Sequence, residues 1–283
     1  MSSGLLIALS VLLPVAGAFV VLALGKWPNA REAVTLITGG GTLWLVSGLL
    51  PYLREGARPR LDILEVMPGV QLAFEVEPLG LLFALVASFL WIVTTIYAIG
   101  YMRGHEEENQ TRFYFFFAIA IAGAIGVAFS ANLFTLFAFY EVLTLCTFPL
   151  VTHHQTDEAR RAGRVYLGVL LTTSIAFQLL AIIWTWQLAG TVEFTQGGIL
   201  AGTASAGVLG AILVLFVFGV GKAAVMPFHR WLPAAMVAPT PVSALLHAVA
   251  VVKAGVFTIL KVSVYVFGLD LLGALAATAW LAW

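Results

Sequence analysis

Eight apolar runs of roughly twenty residues are the first thing this chain has to accommodate, because that length of helix spans a hydrocarbon core about 30 Å thick. They fall near 5–24, 33–52, 79–101, 113–129, 133–151, 165–188, 207–227 and 242–267, and a ninth begins near Leu269. Hydrophobic residues make up 61% of the chain and charged ones 10%, with a mean hydropathy of +1.01. A soluble domain would carry about 25% charged residues. The expected fold class is therefore an all-α polytopic membrane protein of about eight to nine transmembrane helices. Fourteen cationic residues balance fourteen acidic ones, so net charge points to neither nucleic acid nor acidic partners. The single cysteine, Cys146, lies in an apolar run and excludes an internal disulfide or a cysteine-rich metal site. The start, MSSG, lacks the cationic region of a secretory signal, so the first run reads as a retained span.

Loop charges set an expected orientation. One side collects Lys26, Arg31, Arg103, Arg112, Arg160, Arg161, Arg164 and Arg230; the other has Arg54, Arg58 and Arg60 in one loop. The positive-inside rule puts the first set in the cytoplasm and the N-terminus outside. Between spans two and three, RLDILEVMPGVQLAFEVEP (60–78) alternates apolar and polar residues on both sides of Pro68-Gly69. That pattern predicts a small extracytoplasmic β-hairpin at about 60–77, fit to bind a neighbouring loop or subunit. HEEENQTR (105–112) and His153-His154 read as solvated connections rather than a metal site. Thr156, followed by Asp157 and Glu158, is placed to cap the helix leading into span six.

Charges inside the apolar runs carry the functional reading. A cation at membrane depth costs about 2.5–3.5 kcal/mol on insertion scales, so such residues are functional candidates by default. Residues 219–262 hold Lys222, His247, Lys253 and Lys261 beside Pro227, Pro233, Pro239 and Pro241. Broken backbone at membrane depth survives only when buried in protein or lining a wet cavity. Discontinuous helices are thus expected near spans seven and eight, with Pro227, Pro239 and Pro241 as the breaks and Pro227 kinking span seven after Lys222. Glu141 is the only acidic residue inside an expected span, and a Glu141–Lys222 pair is the natural arrangement. His247 is a reasonable relay, since histidine titrates near neutrality. His247 and Lys253, six apart, share no helix face unless the helix is broken, and Gly255 is one place for that. His229 either takes up protons at the surface or is structural, with Trp231 as an interfacial anchor. Lys261 approaches the outer interface, where snorkelling is the favoured role and proton uptake or release the other.

At these residues a resemblance becomes specific. GKAAVMPFHRWLPAAMVAPTPVSALLHAVAVVKAG, with FYEVLTL in span five and FEVEPLGLLFAL after the hairpin, resembles the proton-pumping antiporter-like membrane subunits. That family comprises large subunits of respiratory complex I, Mrp-type cation/proton antiporter subunits and membrane-hydrogenase subunits. FPLVTHHQTDEARRAGRVYLG looks closer to the Mrp-type D subunits. The resemblance implies a proton relay through Glu141, Lys222, His247 and Lys253, with no metal and no cofactor. It divides the chain into spans one to three (1–110), a first repeat (111–267) and the start of a ninth span (268–283). Family members usually carry about fourteen spans in two inverted repeats, so the second repeat is expected either from the rest of a longer protein or from another polypeptide. The implied setting is a bacterial inner membrane, with antiporter-like and small transmembrane subunits as partners and protons, with sodium as a second candidate, as cargo. The leading expectation is a proton-translocating subunit of an Mrp-type antiporter and not an enzyme. The alternatives are a subunit of a complex I or membrane-bound hydrogenase type redox complex, a subunit of an inorganic-carbon uptake complex, and a degenerate scaffold.

Overall fold

A computed structural model describes residues 2–281, with side chains through residue 276. Nine helices follow the expected runs: α1 (Ser3–Ala23), α2 (Pro28–Arg54), α3 (Pro78–Gly104), α4 (Gln110–Ala128), α5 (Leu133–Val151), α6 (Asp157–Ala189), α7 (Ala206–Gly219), α8 (Thr240–Phe267) and α9 (Leu269–Leu281). The far end of the expected ninth span, at Trp283, lies outside the described residues. Seven of these helices are long and apolar enough to cross a membrane. Several starts are fixed by side chains. Asn132 accepts from the backbone N–H of Thr135 at 2.8 Å, and Thr156 accepts from that of Ala159 at 3.1 Å with Asp157 and Glu158 in the first turn. α4 is the hub, packed against α1, α3 and α5. Its small residues make that possible: Gly123 lies against the backbone of Leu143, and Gly126 lies under the Phe139 ring.

The hairpin forms as expected, from β1 (Arg60–Met67) and β2 (Val70–Glu75), antiparallel, with Arg60 opposite Glu75 and Met67 opposite Val70. Gly69 at φ 77° supplies the left-handed turn position that suits glycine. Its binding partner lies within the chain. The Glu75 N–H donates to the Phe129 carbonyl (2.7 Å), and the Ala131 N–H donates to that of Ala73 (3.0 Å). Arg60 bridges Asp62 and Glu193, each at 2.8 Å, so the hairpin is also tied to the 189–206 connection. The hydrogen bond to Glu193 holds the Arg60 guanidinium above its ordinary pKa.

Span seven departs from expectation. α7 stops at Gly219, and fourteen residues rise about 21 Å, short of a membrane crossing. Pro227 therefore kinks no helix; the backbone has already turned at Val220 (ψ 63°) into a short 3₁₀ turn, Gly221–Ala223, that ends on left-handed Ala224. At this break the chain packs closely on α6 through its glycines. A Cβ on Gly219 would collide with the Gln178 backbone, and one on Gly221 with the Thr173 side chain. The facing stretch of α6, Ser174–Gln178, is itself a π-helical turn. Pro239 and Pro241 start α8 rather than break it, Pro239 as N-cap and Pro241 in the first turn. The break inside α8 falls at the π-turn Leu245–Val249 and Ala250 (φ −125°, ψ −63°), not at Gly255. Gly255 is regular helix, and its missing side chain lets α8 press on the backbone of Lys222 and Ala223.

Candidate functional site

Lys222 is fully buried on the 3₁₀ turn that follows α7. Its Nζ donates to the Tyr140 carbonyl (2.8 Å) and to Thr144 Oγ1 (2.5 Å), and lies 3.2 Å from the centre of the Tyr140 ring. Its backbone N–H donates to the Tyr140 hydroxyl at 3.0 Å. Trp231 fixes the turn from the other side, its indole N–H donating to the Gly221 carbonyl at 2.9 Å. Trp231 is thus no interfacial anchor; it is fully buried, edge-on to Tyr166.

The expected Glu141–Lys222 contact is absent among the described ion pairs: neither oxygen of Glu141 has a hydrogen-bond partner. Helix geometry explains this. Lys222 docks on the face shared by Tyr140 and Thr144, four apart, whereas Glu141 is turned about 100° from it. Energetics makes the arrangement delicate. A desolvated cation–π contact contributes about 2 kcal/mol. Hydrogen bonds to a charged group contribute about 1.5–3 kcal/mol each. Together these are comparable to the several kcal/mol that burying an ammonium costs.

His247 sits in the π-turn of α8, half-buried, with Nε2 unpartnered. Gln178, fully buried in the π-turn of α6, has neither amide atom bonded. Lys253 is exposed and borders an apolar cavity of about 230 Å³ between α3 and α8, with Leu82, Phe83, Val86 and Val256. Lys253 is therefore not gathered into the buried cluster. His229 is exposed in the connector before Trp231.

Lys261 does not snorkel. It is 1% exposed, paired with Glu77 Oε1 at 2.9 Å, and it donates to the Ser130 carbonyl at 2.5 Å. The ring of Phe194, from the 189–206 connection, lies 4.6 Å away, so that connection roofs over what hydropathy placed at an interface. Glu77, at the N-cap position of α3, belonged by sequence to the hairpin, and nothing local marked it as a partner for a lysine in α8. Tyr140 and Thr144 were missed likewise. Tyr140 and Thr144 flank Glu141 at helical spacing, the one signal that pointed to them.

At the opposite end, the 105–109 loop meets His153 and His154 across a cavity of about 370 Å³, with Glu107 Oε2 at 3.8 and 3.5 Å from their rings. Burial pushes the His153 pKa down to about 4. Among the described residues no group of three or more His, Cys, Asp or Glu could hold a metal.

Comparison with known proteins places this arrangement. The family described as NADH:quinone oxidoreductase/Mrp antiporter, transmembrane, matches residues 130–281, which contain every element around Lys222. The chain belongs to that family. Residues 68–114 match the description NADH-ubiquinone oxidoreductase (complex I), chain 5 N-terminus. A Rhizobium meliloti protein, named as the probable A/B-type component of a K(+)/H(+) antiporter, is 30% identical over 265 residues, 90% of this chain and 26% of that one. A chain of the Mrp complex from Dietzia sp. DQ12-45-1b superposes with a TM-score of 0.73 at 27% identity, covering 95% of this antiporter-like chain and 30% of that one. A chain of the archaeal membrane-bound sulfane sulfur reductase shares the fold, with a TM-score of 0.77 at 22% identity over 92% of this chain and 40% of that one. The chain thus spans about a quarter of the curated relative and a third or so of the solved chains.

Proposed function

We propose that this chain moves protons as part of a multisubunit Mrp-type monovalent cation/proton antiporter, through Glu141, Lys222, His247 and Lys253. One observation carries the reading: Lys222 is buried on a broken helix with no carboxylate in contact, held by a ring, a carbonyl and a hydroxyl. A lysine so held keeps its ammonium form by a narrow margin, so a change of charge on Glu141 decides whether the proton stays. The unpartnered atoms of Glu141, Gln178 and His247 leave donors and acceptors free to pass a proton on. Lys253, exposed on the α3–α8 face, would hand it to the remainder of a longer chain or to a neighbouring subunit.

In this reading residues 111–267 are the first antiporter repeat, 1–110 the leading spans with the hairpin, and 268–283 the start of a ninth span. The loops rich in arginine face the cytoplasm of a bacterial inner membrane, and the N-terminus and hairpin face outward. Other antiporter-like and small transmembrane subunits complete the assembly. The chain translocates ions and catalyses no reaction of its own. The identity shared with the named antiporter protein and the Mrp chain supports this over a redox-driven complex, for which the likeness to the sulfane sulfur reductase speaks through fold alone.

The test is proton flux in vesicles carrying the whole complex. Lys222→Met is expected to abolish flux and Glu141→Gln to depress it strongly, both with the complex assembled. Wild-type flux in an assembled Lys222→Met complex would sink the proposal.

A further inference from the structure

Near the 105–109 loop, a cavity of about 710 Å³ opens between the end of α1, the start of α2 and the start of α4, bordered by Leu22, Arg31, Thr111, Arg112, Phe115 and Phe116. Its polar end is cationic. Arg31 is 4% exposed; it donates to Thr111 Oγ1 (3.1 Å), Gln110 Oε1 (2.8 Å) and Glu32 Oε1 (3.4 Å), and its Nε has no partner. Arg112 donates to the His153 carbonyl at 2.7 Å, its Nε is buried without a partner, and it makes no ion pair among the described residues. Glu32 is shared between Arg31 and Arg103, and Glu107, which also borders the cavity, stands 3.8 and 3.5 Å from the rings of His153 and His154. Three guanidiniums thus face two carboxylates.

The first turn of α4 adds to it. Asn109 is left-handed (φ 53°) and its side chain makes no cap, so the N–H groups of Gln110, Thr111 and Arg112 lack helical partners. A helix start with free N–H groups attracts anions. The other end of the cavity is apolar. Phe115 stacks edge-on against Phe19 at 5.7 Å, and Phe19 and Leu22 are both more than half exposed on the lateral surface. An anion cradle at helix ends, continuous with an aromatic slot open to the side, matches an amphiphile lying at headgroup depth. A free anion would leave the slot unused.

We propose that this cavity seats an anionic phospholipid, its phosphate against Arg112 and the first turn of α4 and an acyl chain along Leu22, Phe115 and Phe116. The site is independent of the proton path.

Native mass spectrometry of the purified chain, supplied with phosphatidylglycerol or with phosphatidylcholine of the same acyl chains, tests it. One phosphatidylglycerol is expected to be retained preferentially, and inorganic phosphate should not displace it. Losing one basic group near anionic headgroups costs roughly 1 kcal/mol, so Arg112→Gln should lower retention about fivefold. Arg112→Lys should keep most of it, and Arg60→Gln, on the hairpin, should change nothing. Equal retention of the two lipids, displacement by free phosphate, or unchanged retention in Arg112→Gln would each overturn the assignment. Should Arg112→Gln fail to fold, the competition between lipids on the unaltered chain decides alone.

Discussion

Lys222 and Lys261 are both removed from solvent, yet they are held differently. Lys261 touches a carboxylate, Glu77, at 2.9 Å. Lys222 touches none; a ring, a carbonyl and a hydroxyl surround it, and Glu141 stands off. A contact ion pair fixes both charges, since removing either leaves the other buried and alone. Neutral dipoles tolerate a change of charge. The first arrangement suits a strut between α3, α8 and the hairpin, and the second suits a site whose proton has to leave.

The largest expected effect tests the strut. Glu77→Ala leaves the Lys261 ammonium buried without a counter-charge and is expected to destabilise the protein by about 3–5 kcal/mol, read from thermal unfolding in detergent. The double variant Glu77→Ala/Lys261→Met should recover most of that loss. Lys222→Met, by contrast, strands no contacting carboxylate and should unfold close to the unaltered protein. Equal losses for Glu77→Ala and Lys222→Met would erase the distinction.

A smaller effect refines the description of Lys222. Thr144→Val keeps the side-chain shape but removes the hydroxyl, and is expected to cost about 1.5–3 kcal/mol if the ammonium form is the one bound. A negligible cost would show that the ring and the carbonyl suffice.

A pH-dependent effect concerns His153, a buried ring outside the membrane-spanning helices, 3.8 Å from Glu107. Its pKa is lowered from 6.5 to about 4, first by burial and then by Arg112 and His154. Between those values the unfolded chain binds the extra proton, so stability is intact above pH 6.5 and is lost as pH falls toward 4. The melting temperature should drop over that window, and drop less in His153→Gln. The same drop in both would remove His153 from the account.

Much of the architecture was legible in the chain. Run length and hydropathy located the helices, alternation around Pro68-Gly69 located the hairpin, and Thr156 marked the start of α6. Prolines beside Lys222 pointed to the right region but the wrong residue. The break falls where Gly219 and Gly221 meet α6, a contact between distant segments that no local pattern encodes. The Lys261–Glu77 pair was hidden for the same reason. Hydropathy gives depth along a helix, not what the loops cover. Glu141 misled because charge is easy to see in a sequence, whereas the face that Lys222 chooses depends on how α5 is rotated.

The π-turn at Leu245–Val249 also has an arithmetic meaning. It holds one residue more than an α-helix would use over the same rise, and each residue advances the helix by about 100°. Everything after it in α8 is therefore out of phase with everything before it by that angle. Lys253 and Lys261 both carry that shift, and it is in this phase that Lys261 meets Glu77. A one-residue deletion within 245–249 would leave composition and hydropathy almost untouched, and would swing Lys261 away from its partner.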